Sequence, residues 1–178
     1  MRQPDQKLLA LVLKSKPLKE GDLLVTILTK QEGKLVLLAK GVRKINSKRR
    51  CFLESGNLIK VQIIPSHHLP ILAQVELVSH AGSARESLLS LKKLLLFLEI
   101  LDKLLVADAL PAVVFRQILF LRELFLQNFS NRQIKKYFCP LLQNLGYTTG
   151  ESQKSISAQV SELTGQPLCS FAYLSLKS

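Results

Sequence analysis

Aromatic side chains are scarce in this sequence, and almost missing from its first half. There is no tryptophan, and of eight phenylalanines and three tyrosines only Phe52 lies before Phe97. A platform of exposed rings for stacking bases is therefore not expected in that half. Cysteine is equally sparse. Cys51, Cys139 and Cys169 are odd in number and far apart, so they form neither a disulfide framework nor a C-x-x-C zinc knuckle. The expected compartment is a reducing cytoplasm. No stretch approaches ~18 consecutive apolar residues, so no membrane span is expected. The opening Met1-Arg2-Gln3-Pro4-Asp5-Gln6 lacks the apolar core and small-residue cleavage site of a secretory signal.

Catalytic signatures are missing as well. Gly33-Lys34 resembles the end of a phosphate loop, but Leu35 stands where Ser or Thr is needed and no glycine lies five residues before Gly33. No G-x-S-x-G occurs. The adjacent His67 and His68 would point to opposite faces of an extended chain, so they read as turn residues rather than joint metal ligands, and His80 stands apart. Cys51 follows three basic residues that favour its thiolate, yet no base is in view, and a small half-buried side chain is the simpler reading. Nothing argues for an enzyme, and neither a metal nor a cofactor is expected.

What the sequence has in excess is positive charge. Its 178 residues carry 25 Lys and Arg against 13 Asp and Glu, a formal +12, while 47% are apolar. That apolar share excludes a wholly disordered basic tail. Residues 1–80 hold 14 basic and 6 acidic side chains; residues 81–178 hold 11 and 7. The densest stretch is Lys34, Lys40, Arg43, Lys44, Lys48, Arg49 and Arg50: seven cations in seventeen residues, with no acid among them. A solvated loop explains an occasional lysine. Seven without an acid point to an anion-binding surface, and a phosphate backbone is the ligand that rewards it through counterion release.

Residues 7–80 divide into five strand-like runs: 8–14, 22–29, 34–42, 57–64 and 70–80. Gln31-Glu32-Gly33 is a tight hairpin turn in which Gly33 supplies a positive φ, and Pro65 to Leu69 is a second connection. Five short antiparallel strands in about 75 residues suit a small closed barrel, either an OB-fold or an SH3-like barrel. From Ser83 the period becomes helical. Ser83 and Glu86 fit a capping box for a helix reaching about Val106; Pro111 opens a second to about Phe129; Ser130 and Gln133 cap a third that passes Pro140, which should kink or shift it, and stops at Gly146. The expected class is α+β: a five-stranded OB-fold barrel (1–80), an all-α domain (81–147), and a loosely ordered segment (148–178) with at most a short helix near 157–163.

The run Glu20-Gly21-Asp22-Leu23-Leu24-Val25-Thr26-Ile27-Leu28-Thr29, then Glu32-Gly33-Lys34, then Ala39-Lys40-Gly41-Val42-Arg43-Lys44, resembles the N-terminal barrel of the bacterial recombination mediator RecO family. The first strand, the Leu-rich helix and Leu145-Gly146-Tyr147 are similar too, so the likeness spans about residues 7–147. It implies an OB-fold and a helical domain, binding of single- and double-stranded DNA, annealing of complementary strands, and work with RecR and single-strand-binding protein to load RecA. Many members carry a four-cysteine zinc site after Leu-Gly-Tyr. Only Cys169 lies beyond it here, so zinc is not expected. Members also usually run on through a further helical stretch.

Without rings in the barrel, binding should rest on phosphate contacts from the seven cations, which position a strand without reading its bases. Unstacked bases stay free to pair, which suits annealing. In the helical half, Arg116, Arg122, Arg132, Lys135 and Lys136 flank apolar and aromatic residues that mostly form core. A basic rim over an apolar floor suits an acidic peptide ending in an aromatic residue, the character of the single-strand-binding protein's tail. Two other readings stay open: an RNA- or ribosome-associated OB-fold protein, and a non-catalytic interaction adaptor.

Overall fold

A computed structural model describes residues 7–42, 47, 49–127, 130–147, 162 and 165. Five strands, β1 (Leu8–Pro17), β2 (Leu23–Thr29), β3 (Gly33–Ala39), β4 (Leu58–Ile64) and β5 (Ile71–Ser79), close into a barrel in the order β1-β2-β3-β5-β4. β4 returns antiparallel to β1, and β3 meets β5 in parallel at Leu38 and Ile71. A four-residue helix, α1 (Arg49–Phe52), lies between β3 and β4. This is the OB-fold, and the SH3-like alternative is set aside.

The barrel follows from alternation. Leu8, Ala10 and Val12 of β1, Leu23, Val25 and Ile27 of β2, Leu37 and Ala39 of β3, and Ile59, Val61 and Ile63 of β4 point inward and form one buried cluster with Leu72, Val42 and Leu53. Polar and charged residues at alternate positions, such as Lys60 and Gln62, face out. β1 is longer than the expected 8–14 because an extra residue bulges between Val12 and Lys14 and pairing with β2 continues to Pro17.

The described residues fall into two compact units. The first is the barrel through Ala81 together with Val106–Leu110; the second begins at Gly82 and resumes at Pro111. The sequence assigns 106–110 to the helical half. Backbone bonding assigns it to the barrel: Lys34 N–H donates to the Val106 carbonyl at 3.0 Å, and Leu110 N–H to that of Lys30 at 2.9 Å.

The helical unit contains α2 (Leu88–Leu104), α3 (Ala112–Leu126) and α4 (Asn131–Asn144). Phe97 of α2 stacks on Phe125 of α3 with ring centres 4.8 Å apart and meets Phe138 of α4 edge-on at 6.3 Å. α2 starts at Leu88 rather than Ser83: Ser83 and Glu86 lie in a 3-10 turn (Gly82–Glu86) that carries Ala84 into the interior. Pro111 caps α3, which ends at Leu126, short of the expected Phe129. The Ser130–Gln133 capping box forms as expected, with Gln133 N–H donating to Ser130 Oγ and Ser130 N–H to Gln133 Oε1. α4 runs through Pro140. Gly146, at φ +82°, ends it, and Tyr147 then donates its hydroxyl to the Leu104 carbonyl at 3.3 Å. The short helix expected near 157–163 lies outside the described residues, Glu162 excepted.

Candidate nucleic-acid interface

The cationic segment leaves β3 at Ala39 and re-enters the barrel at Leu53, and both junctions are apolar plugs. Val42 is 1% exposed and Leu53 is 1% exposed, both within the interior cluster. Hydrophobic burial thus fixes the two ends of the stretch at Val42 and Leu53, while its described cations are left unburied, as the cost of desolvating a charge requires. Lys40 and Arg50 are exposed and Arg49 is half-buried. Arg43, Lys44 and Lys48 lie outside the described residues.

Two polar side chains reinforce the plugs. Asp22, at the end of the β1–β2 turn, accepts a 2.6 Å hydrogen bond from Gly41 N–H through Oδ1. At the other end, fully buried Asn57 donates Nδ2–H to the carbonyls of Cys51 (2.8 Å) and Phe52 (3.2 Å) and accepts Ala81 N–H on Oδ1 at 2.9 Å. Asn57 thereby ties the C-terminal end of α1, which bears Arg49 and Arg50, to the barrel wall. Ser15 Oγ also donates to the Leu53 carbonyl.

Lys34 does not join this group. It sits at the opposite end of β3 from Lys40, roughly 20 Å along the strand at ~3.3 Å per residue. The register instead brings in three lysines that sequence reasoning passed over. Lys14 pairs with Thr26 and Lys16 with Leu24, whose β3 partners are Val36 and Leu38, all on the barrel's outer face; Lys19 is exposed in the turn preceding Asp22. Without the bulge, Lys14 and Lys16 would share the inward parity of Val12. A β-bulge leaves no mark in the residue pattern, which is why this signal was hidden. The outer face of β2 and β3, with the β1–β2 turn, is the surface on which OB-folds hold oligonucleotides, and Lys14, Lys16 and Lys19 border it. No aromatic residue lies on these strands, and Phe52 is half-buried.

In the helical unit, Phe120 (49% exposed) and Tyr137 (40% exposed) meet edge-to-face at 5.1 Å on the surface of α3 and α4. Lys136 Nζ stands 5.9 Å from the Tyr137 ring, and exposed Arg116 is one turn from Phe120. Arg122 is different from what the sequence suggests. It is 0% exposed, because Ile118, Arg122 and Phe125 share the inward face of α3. Its guanidinium bonds to the Glu123 carboxylate, and burial lowers its pKa against the opposing pull of that carboxylate. A buried guanidinium cannot form the rim of a groove. The side chains of Arg132 and Lys135 lie outside the described residues.

Among the described residues no cluster of His, Cys, Asp or Glu could hold a metal ion. His80 pairs with Glu54 at 3.9 Å, while His67 and His68 are exposed in the β4–β5 connection. No helix among the described residues is long and apolar enough to cross a membrane.

Comparison with known proteins bears on the barrel most directly. Residues 1–81 match the family described as recombination protein O N terminal. The chain is similar to the DNA repair protein RecO of Cutibacterium acnes, 31% identical over 104 residues, 58% of this chain and 42% of that protein. It is 28% identical over 140 residues to the DNA repair protein RecO of Syntrophomonas wolfei, 78% of this chain and 56% of the relative. The DNA repair protein RecO of Frankia casuarinae is 33% identical over 72 residues, 40% of this chain and 30% of the relative. The chain therefore spans between about a third and just over half of the relatives it matches. The closed five-stranded barrel, with the E-G-D and A-K-G segments at one end, is thus the part of the chain that is similar to the N-terminal domain of recombination protein O.

Proposed function

We propose that this chain is a DNA-binding mediator of repair and recombination, without catalytic activity of its own. Its barrel holds single- and double-stranded DNA by the phosphates, through Lys40, Arg43, Lys44, Lys48, Arg49 and Arg50, supplemented by Lys14, Lys16 and Lys19, with Lys34 further along β3 from Lys40. The observation that carries the reading is an acid-free cationic segment whose flanking Val42 and Leu53 are buried in the barrel core, together with a sheet face without rings. Such a surface screens the repulsion between two strands and leaves their Watson–Crick edges uncovered. That is the chemistry of strand annealing. The relatives' role in DNA repair, which their names carry, supports the same reading, and family resemblance extends it to joint action with RecR in loading RecA.

The helical unit would receive the acidic tail of single-strand-binding protein. Phe120 and Tyr137 supply the apolar contact, and Arg116 and Lys136, with Arg132 and Lys135 nearby in sequence, supply the charge. Arg122 is left out because it is buried.

Annealing of complementary oligonucleotides by the full chain tests the first part. Lys44, Lys48, Arg49 and Arg50 changed together to Glu should abolish it, and unaltered annealing would sink the reading. Titration calorimetry with the tail peptide at low salt tests the second. Absence of heat while DNA binding persists would remove that partner. RNA outcompeting DNA of equal length would favour an RNA-binding role instead.

A further inference from the structure

We infer that Asp22 is a positioning residue for the nucleic-acid surface: an acid on a cationic face, whose carboxylate fixes the point at which the Lys40–Arg50 segment leaves the barrel. The inference rests on the proposed phosphate-binding role of that segment.

The β2–β3 ladder ends at Leu23 and Ala39. One step beyond, the backbone pairing is replaced by a side chain, as Asp22 Oδ1 takes the Gly41 N–H at 2.6 Å. Gly41 has φ +63°, the left-handed conformation that glycine adopts freely, and it hands the chain to the buried Val42. Lys40 is therefore held between two fixed residues, Ala39 in the core and Gly41 on the carboxylate. Asp22 is itself held. Leu18 N–H donates to its carbonyl at 3.0 Å, its own N–H reaches the Lys19 carbonyl at 3.3 Å, and Gly21 makes the turn at φ +83°. The Glu20-Gly21-Asp22 and Ala39-Lys40-Gly41 segments, nineteen residues apart at the bond, thus meet in one contact.

Charge alone gives Asp22 the wrong sign for this place. A carboxylate beside Lys19 and Lys40 repels phosphate, so its removal should tighten DNA binding. The hydrogen bond acts the other way. A hydrogen bond from an N–H to an ionised oxygen is roughly twice as strong as a neutral one, and it holds Gly41 and the adjacent Lys40 in place before DNA arrives. Substitution separates the two effects, because Asp22→Asn removes the charge and keeps an acceptor oxygen, whereas Asp22→Ala removes both.

The test is fluorescence anisotropy of a labelled single-stranded oligonucleotide with the full chain across a salt series. D22N should bind as tightly as the unaltered protein, or up to about 3-fold tighter. D22A, equally more positive by one charge, should bind about 5- to 10-fold more weakly, with a log–log salt slope shallower by about 0.7, one phosphate contact. Amide exchange keeps the inference testable if D22A does not fold. The Gly41 N–H should be protected in the unaltered protein and in D22N, and exchange there at the rate of an unbonded amide would overturn it. Steep, salt-sensitive binding by the unaltered protein with D22A equal to D22N would overturn this inference alone. No binding by the unaltered protein would overturn the proposed function and this inference with it.

Discussion

A Cβ added at Gly33 would stand 2.0 Å from the carbonyl oxygen of Asp108 and 2.7 Å from its nitrogen. The β2–β3 hairpin and the 106–110 segment touch through backbone, with no room for even a methyl group between them. Gly33 also has φ +60°, so it answers two demands at once: the turn and the close approach. Gly33→Ala should therefore cost about 2–4 kcal/mol, combining left-handed strain with overpacking against backbone that cannot swing aside. Gly146→Ala is the control. Its φ is +82° but nothing lies within 4 Å of the added atom, so only about 1 kcal/mol of strain is expected. Urea denaturation of the two variants, followed by circular dichroism, should rank them in that order; equal losses would mean the 106–110 contact is dispensable.

Asn57 should be among the most sensitive polar positions in the barrel. Its side chain makes three hydrogen bonds while fully buried. Asn57→Ala leaves two carbonyls and the Ala81 N–H without that partner, at a cost of about 2–4 kcal/mol. Asn57→Asp should be no milder, since a carboxylate can still accept from Ala81 but presents oxygen to the Cys51 and Phe52 carbonyls, and the buried charge adds its desolvation. Thermal unfolding at neutral pH checks both, and a loss of less than about 0.5 kcal/mol for Ala would show that water or neighbouring groups replace the amide.

The barrel was legible because its strands obey a two-residue period, and inward runs such as Ile59, Val61 and Ile63 carry that period plainly. The third helix was legible at its start because Ser130 and Gln133 form a local device that needs no tertiary context. The same pattern at Ser83 and Glu86 misled, since a 3-10 turn can hold those residues just as well. Two further features lay beyond pattern reading. α1 is four residues long, too short to display a helical period. Arg122 has a surface residue's chemistry, and only its spacing from Ile118 and Phe125 betrayed an inward position. The candidate site was legible as composition, in the acid-free run of cations. Its geometry was not, because the bulge after Val12 and the Asp22–Gly41 and Asn57–Ala81 bonds join residues distant in sequence.

Acid should expose a small electrostatic contribution on the barrel surface. Lys7 holds the Glu76 carboxyl below the usual carboxylate range, first by hydrogen bonding to it and second by its charge, with a lesser pull from Lys60. A carboxyl whose pKa is depressed by folding stabilises the protein above its unfolded pKa, and that stabilisation is lost as pH falls through the folded value. Glu76→Gln should therefore lower the melting temperature slightly near neutral pH, and the difference from the unaltered protein should vanish in strong acid. Because the pair is exposed, half-molar salt should also remove most of it. A difference that persists in acid would mean the glutamate acts by packing rather than by charge.

The placement of the DNA surface can be tested with charge held constant. If about five cations touch phosphates at once, the single-strand relation of roughly −0.7 per contact gives a log–log salt slope near −3.5. Lys16 and Lys19 lie at the end of the barrel face nearest Lys40; Lys30 and Lys34 lie at the hairpin end, roughly 20 Å along β3. The double substitutions Lys16→Ala with Lys19→Ala, and Lys30→Ala with Lys34→Ala, each remove two positive charges from the barrel. With an oligonucleotide of about six nucleotides, too short to engage both ends fully, only the first pair should flatten the slope, by about 1.4, while the second changes it by less than about 0.4. Affinity should differ little between dT and dC oligomers, since the face offers no ring on which a base can stack. Equal flattening by both pairs would mean that overall charge, not the Lys40 end of the barrel, governs binding. A slope near −1 for the unaltered protein, with tight binding surviving half-molar salt, would move the site off the barrel to a surface with rings.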